Sequence, residues 1–229
     1  MTASAAPRQL VLFDLDHTLI PLDSDYEWAS FLARRGHVGD PAEALAKNEL
    51  LMQRYDAGTL TAEESAEFML GLLARNDVAD LAAWYEIFMA EVVRPAIAPQ
   101  ALQLVRGHLQ AGDLVVLASS TNTFVISPIA RAFGIRHVLG TEPEEINGRY
   151  TGKFIGTPCF QAGKITRVDQ WLAERGWKRA DFEAIHFYSD STNDLPLLEV
   201  SSHPVATNPS DALRQIAEAR QWRILDLFA

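Results

Sequence analysis

An uninterrupted apolar run that ends in two acids two residues apart constrains this chain more than any other stretch: Leu10-Val11-Leu12-Phe13-Asp14-Leu15-Asp16-His17-Thr18-Leu19. A run of this kind, with Val and Phe in it, reads as a short strand buried on both faces, as in a parallel sheet. Asp14 and Asp16 then fall at its C-terminal end and share a side, because residues i and i+2 of an extended chain do. The carboxyl ends of the strands are where open α/β sheets bind ligands. Two carboxylates so placed repel unless a cation lies between them or one holds a proton.

A chain of 229 residues suits one large domain, or a core with a smaller one beside it. Its 48% hydrophobic content is enough for a full core. The net charge of −10 argues against nucleic acid or an anionic membrane as main partner. It leaves an anionic substrate open, because a bound metal or local cations reverse the field inside a cleft. The single cysteine, Cys159, excludes an intramolecular disulfide framework and reads as a buried, inert thiol. Residues 1–9 lack the apolar core of a signal peptide, and no run approaches the roughly 20 apolar residues of a membrane span. A cytoplasmic protein is the expectation.

After the first strand the texture turns helical from residue 24 to about 93. Helices are expected over about 26–35, capped by Ser24 or Asp25, over 41–55, from Thr61, and over about 78–93. Thr61 and Glu64 have the form of a capping box. Pro95 and Pro99 mark the return to the main domain. The division expected is a core of residues 1–20 and 96–229 with a helical cap of 21–95 inserted after the first strand. Within the core, Leu114-Val115-Val116-Leu117-Ala118 and Ala184-Ile185-His186-Phe187-Tyr188 read as further buried strands, each followed by polar residues and a helix. Asn147-Gly148 between extended segments reads as a hairpin. The fold class expected is therefore α/β: a Rossmann-like parallel sheet flanked by helices, with the inserted helical cap and a β-hairpin.

Three strands thus end in different polar groups: Asp14 and Asp16, then Ser119 with Thr121 and Asn122 nearby, then Asp190 and Asp194. Lys164 begins the helix between the second and third. Taken singly, Asp190 or Asp194 reads as a helix cap, Ser119 as a turn residue and Lys164 as a solvated cation. Together they form a set of hard oxygen donors suited to Mg²⁺, with a lysine and hydroxyls suited to a phosphoryl group.

In order and spacing these residues resemble the four motifs of the haloacid dehalogenase-like hydrolases along nearly the whole chain. The helical insertion resembles the subgroup that includes phosphoserine phosphatase. Ser119-Ser120-Thr121-Asn122-Thr123-Phe124-Val125, with Pro128-Ile129-Ala130, is similar to a bacterial branch to which histidinol-phosphate phosphatases are assigned. The resemblance implies Asp14 as nucleophile and Asp16 as general acid and then base. Ser119 and Lys164 would hold the phosphoryl oxygens. Mg²⁺ would be held by Asp14, the Asp16 carbonyl and Asp190. Asp194, Asn193 and Thr18 would brace the site, and the cap would close over a small phosphomonoester.

Asp23 stands where the family's phosphoserine phosphatases place an acid that binds the substrate amine. An ungapped overlay puts Glu67 where a cap arginine clamps the substrate carboxylate, with Arg54 or Arg75 as substitutes. Ser120 replaces the first of two glycines, and Ser120 and Asn122 are expected at the substrate. An acid in place of a guanidinium points to a phosphomonoester with an amine and no carboxylate, such as histidinol phosphate. Phosphoserine is the runner-up. A phosphotransferase acting on a second alcohol would use the same residues. A receiver-like signalling domain gathers a similar set, but in a much shorter chain without an inserted cap. His17 reads as structural, and His186 as a satisfied core histidine.

Overall fold

A computed structural model describes residues 9–228; residues 1–8, most of the stretch read above for a leader, lie outside the described residues, as does 229. The strands are β1 (Gln9–Phe13), β2 (Leu114–Asn122), β3 (His137–Ile146), β4 (Arg149–Ile155), β5 (Ala184–Ser189), β6 (His203–Thr207) and β7 (Arg223–Leu225). They form one sheet in the order β4-β3-β2-β1-β5-β6-β7, parallel throughout except for the β3–β4 pair. From β1 the chain builds outward through β2 and β3, then returns to the other flank of β1 with β5. That reversal opens a crevice at the carboxyl ends of β1 and its neighbours. Asp14 is the first residue past β1.

The insertion after β1 is helical, as expected. It comprises α1 (Ser24–Arg34), α2 (Pro41–Asp56), α3 (Ala62–Ala74), α4 (Val78–Phe88) and α5 (Arg94–Ala96). The cap of α1 is Asp23, whose Oδ1 accepts the Tyr26 N–H at 2.7 Å, and not Ser24 or Asp25. Asp40 caps α2 ahead of Pro41, a residue that gives up no hydrogen bond at the first helical position. The capping box of Thr61 and Glu64 is present in full. The expected single helix over 78–93 is instead α4, a π-helical turn over Met89–Val93, and α5. The wider turn falls just before Pro95, which lacks an N–H and whose ring crowds the carbonyl four residues back.

The two faces of the sheet take alternate residues of β1. Val11 and Phe13 join one cluster, Leu10 and Leu12 the other, and all four are fully buried. On the first face lie α6 (Pro99–Ala111), α7 (Thr123–Phe133) and the insertion. The insertion is tied down by an aromatic group in which Trp28 lies 5.3 Å from Tyr85 and Phe88 and 5.8 Å from Phe124 of α7. On the second face α8 (Gly163–Ala173), α9 (Leu195–Val200) and α10 (Asp211–Ala219) supply Val168, Leu172, Leu198 and Leu213. Each such side chain contributes about 1.5–3 kcal/mol on burial. The hairpin turn is at Asn147-Gly148, both at positive φ (53° and 75°), the backbone twist a two-residue hairpin requires. Among the described residues, no helix is long and apolar enough to cross a membrane.

Candidate active site

Sheet register brings the strand-end residues together. Phe13 is paired with Leu117 on one side and Tyr188 on the other. Asp14 and Asp190, the first residues past β1 and β5, therefore lie within one residue of the level of Ser119, which stands inside the longer β2. The Asp14 N–H extends the ladder by donating to the Tyr188 carbonyl at 2.9 Å. Beyond it the chain curls back, with the N–H groups of Thr18, Leu19 and Ile20 all donating to the Leu15 carbonyl.

Lys164, at the start of α8, reaches into this cluster and is only 2% exposed. Its Nζ donates to Asp14 Oδ1 at 2.9 Å and to Asp194 Oδ2 at 2.8 Å. Asp194 Oδ2 also accepts the Ser189 hydroxyl at 2.7 Å. Gly163, beside Lys164, has no space for a side chain: a Cβ there would lie 2.3 Å from the Pro158 carbonyl oxygen. Asp16 accepts the Ser24 N–H at 2.8 Å and the Thr121 hydroxyl at 3.0 Å, which links β2, the first loop and α1. Thr18 braces Asp190 in both directions. Its hydroxyl donates to Asp190 Oδ1 and its Oγ1 accepts the Asp190 N–H, each at 3.1 Å. Ser119 is buried, and its Oγ accepts the Thr121 N–H at 3.2 Å, which leaves its own O–H to donate. Asn193 Oδ1 accepts from the Gln161 side chain at 3.4 Å, tying the two loops that carry Asp194 and Lys164.

The electrostatics follow from many acids around one ammonium. Burial pushes the Asp14 carboxyl up to about 7, against the pull of Lys164 and with the push of Asp194 and Asp16. Burial, and then the Asp23 charge, push Asp16 up to about 7 as well. Asp190 is raised well above the usual carboxylate range by burial and by Asp14 and Asp194. Burial by itself would depress Lys164, but Asp14 and Asp194 outweigh it and hold the ammonium charged. The site carries surplus negative charge that a cation would relieve. Carboxylate and carbonyl oxygens are the donors Mg²⁺ prefers. Among the described residues no group of three or more His, Cys, Asp or Glu side chains closes on one point. A donor set of Asp14, Asp190, the Asp16 carbonyl and waters fits that observation, since it needs only two carboxylates.

Between the strand ends and the insertion lies a cleft of about 810 Å³, counted to its mouth. Asp14 and Asp16 line it, with Asp23, Asp25, Ser120, Thr121 and Asn122 beside them and Leu51, Met52, Tyr55, Met69, Leu70 and Phe160 supplying apolar surface. Asp23, Ser120 and Asn122 are thus at the cleft, as expected. Asn122 also has structural duties: its Oδ1 caps α7 through the Val125 N–H and its Nδ2 donates to Asp25 Oδ1 at 3.0 Å. Glu67 is not at the cleft. It is exposed and lines a separate groove with Asp40, Lys47 and Arg75. Arg54 is engaged with Glu64, at 2.7 and 2.8 Å. The expected contrast between Glu67 and a clamping arginine is therefore corrected, and neither Arg54 nor Arg75 lines the cleft. Among the described residues, no arginine, lysine or histidine lines it.

Sequence reasoning missed Asp25, Met69 and Tyr55 as cleft residues. A pair four apart on α3, Ser65 and Met69, was the available signal for the helix face. Asn208 was missed too; its side chain donates to the His17 and Thr18 carbonyls at 3.0 and 3.1 Å and pins the first loop. Cys159 is buried, with its thiol pushed up to about 12 by burial, in keeping with an inert role. His186 bonds Gln9 at 3.1 Å and stacks on His203, well inside the sheet pattern.

Residues 11–199 match the haloacid dehalogenase-like hydrolase family. A histidinol-phosphatase of Neisseria meningitidis is 45% identical over 220 residues, 96% of this chain and 99% of that protein. A crystal structure of a protein of unknown function from Bordetella pertussis superposes with a TM-score of 0.93 at 59% identity, covering 97% of this chain and all of that one. A substrate-bound phosphoserine phosphatase superposes with a TM-score of 0.65 at 16% identity, covering 95% of this chain and 92% of that one, a likeness of fold.

Proposed function

The chain belongs to the haloacid dehalogenase-like hydrolases and is a phosphatase, and from that premise we propose that it hydrolyses a small cationic phosphomonoester, histidinol phosphate first, through an aspartyl-phosphate on Asp14. The observation that carries the substrate reading is the cleft lining. Asp23 and Asp25 line the cleft with Asp14 and Asp16, and among the described residues no arginine or lysine lines its walls to receive a substrate carboxylate. Burial, and then Asp23 and Asp16, raise Asp25 well above the usual carboxylate range, so a cationic ring or amine is favoured there as the charge that lets these acids ionise, while a phosphoserine carboxylate would add to the negative charge. The 45% identity to a histidinol-phosphatase supports the same reading.

The residues then take these roles. Asp14 Oδ1 is held by Lys164, which leaves the other oxygen to attack phosphorus. As the P–O ester bond breaks, the departing alkoxide takes a proton from Asp16. Burial pushes that carboxyl up to about 7, where it both gives and takes a proton readily at neutral pH. Asp16 later removes a proton from the water that attacks the phospho-Asp14, and inorganic phosphate leaves. Lys164 and the Ser119 hydroxyl hold the transferred oxygens, Asp194 orients Lys164, and Thr18 and Asn193 hold the loops. Mg²⁺ held by Asp14, Asp190 and the Asp16 carbonyl would supply the neutralisation that lets an anionic nucleophile approach an anionic ester. Residues 21–95 serve as a cap over residues 1–20 and 96–229 and limit the access of water.

The test is phosphate release from a panel containing histidinol phosphate and phosphoserine, with and without Mg²⁺. We expect Mg²⁺-dependent release and a kcat/KM higher for histidinol phosphate by at least about tenfold, the effect of one unfavourable charge contact. Asp14→Asn should be silent. A clear preference for phosphoserine, or an active Asp14→Asn variant, overturns the reading.

A further inference from the structure

We propose that Tyr55, on the insertion, is a catalytic residue whose phenol hydroxyl donates a hydrogen bond to a non-bridging oxygen of the transferring phosphoryl group. The proposal rests on the phosphatase reading above and adds a residue that none of the strand-end motifs contains.

Tyr55 lies one residue from the end of α2 and lines the same cleft as Asp14 and Asp16. Its place is set from behind. Arg54 is locked to Glu64 by two hydrogen bonds and donates a third to the Thr59 carbonyl at 3.1 Å. Glu64 in turn completes the capping box of α3. The α2–α3 joint is thus braced on its outer side, and the tyrosine is turned inward. There its ring lies 6.3 Å from Phe160, at 54°, on the loop that leads into Lys164. The side chain bridges the insertion and the loop feeding the buried lysine.

The side chain lines the cleft together with Asp14 and Asp16, on the wall that the insertion contributes. The charges acting on it are those of Asp14, Asp194, Lys164 and Asp190. Burial, and then Asp14 and Asp194, push the phenol far above its ordinary range, so it remains a neutral donor at any working pH. No hydrogen-bond partner for it occurs among the described residues. The carboxylates it faces are already served: Asp14 and Asp194 by Lys164, Asp190 by Thr18. A polar donor left over on the wall of the cleft that Asp14 also lines is suited to charge that appears only when substrate is bound. In phosphoryl transfer that charge is spread over the equatorial oxygens.

A packing role for the ring is the competing account, and Tyr55→Phe separates the two because it keeps the ring. With the Mg²⁺-loaded full chain, kcat and KM are measured for p-nitrophenyl phosphate and for histidinol phosphate. Orthovanadate, a mimic of the transferring phosphoryl group, is titrated by calorimetry as a readout without turnover. We expect kcat/KM to fall about 10- to 100-fold for both substrates, the range for losing a hydrogen bond to a charged group. Vanadate affinity should fall by a similar factor, and the melting temperature should stay near that of wild type. Values within about twofold of wild type for both substrates and for vanadate overturn the proposal, twofold being too little for such a bond. So does a loss confined to histidinol phosphate, which would put the hydroxyl on the substrate's other end. Wild-type protein that releases no phosphate from either ester would instead sink the phosphatase reading itself.

Discussion

Replacing Lys164 with methionine isolates the energetic core of the site. Lys164 is almost wholly buried, and it is the cation for two buried carboxylates, at 2.9 and 2.8 Å. Methionine is unbranched and of similar length, so it fills the channel with little cavity cost. What disappears is the ammonium. Removing one partner of a buried ion pair costs about 3–5 kcal/mol, because the remaining charge is left without compensation. In a chain of this size each kcal/mol moves the melting temperature by about 2–4 °C, so the expected drop is about 6–20 °C.

The loss should also carry a pH signature. The Asp14 carboxyl is at about 7 in the fold against 3.8 as a free side chain, and loss of Lys164 raises it further. An acid whose folded value lies above its unfolded value binds its proton more tightly in the fold. Its contribution to stability therefore falls as pH rises from about 4 through the folded value. The deficit of Lys164→Met relative to wild type should be largest near pH 8 and smaller near pH 5. Thermal unfolding followed by circular dichroism, in EDTA, at those two pH values measures it. A drop of less than about 3 °C near pH 8, below the range set by the buried-pair cost, refutes the reasoning. A deficit that grows toward acid would refute it as well.

Glu67→Ala should leave kcat/KM for both histidinol phosphate and phosphoserine within about twofold of wild type, since Glu67 lines a groove separate from the cleft; steady-state kinetics on the purified variant check this. His186 is held below its ordinary 6.5 by burial and by the neighbouring His203 and His108. Its neutral form is favoured by the fold, so the stability it contributes is present above about pH 6.5 and lost as pH falls from there through the lower folded value. His186→Gln should flatten the decline in urea-unfolding stability between about pH 7 and pH 5; parallel curves for the two proteins would count against it.

Much of the fold was legible in linear order because its signals are local. A buried strand announces itself by four apolar residues in a row, and Asp14 follows Phe13 directly whatever the rest of the chain does. The hairpin was readable from Asn147-Gly148 because that turn needs two residues at positive φ, and the structure has them there. The cap of α1 lies one or two residues before the Ser24 or Asp25 expected from sequence, because Asp23, Ser24 and Asp25 are all competent caps and only the path of the loop chooses. Glu67 was misread for a geometric reason. It lies two residues from both Ser65 and Met69 on α3, and two residues at 100° each turn a helical side chain to the far side. An overlay off by two therefore exchanges cleft for solvent.

By itself, the order of residues determined which chemical groups stand at the ends of β1, β2 and β5, since a side chain at a strand terminus is placed by its own segment and by pairing with the next strand. Only the tertiary structure decided which side chains of the insertion look into the cleft: Asp25, Tyr55 and Met69 rather than Glu67. The rotation of a helix about its axis is set by what it packs against. Here those partners include Phe124 of α7 and Phe160 of the loop before α8, far along the chain from the helices they orient.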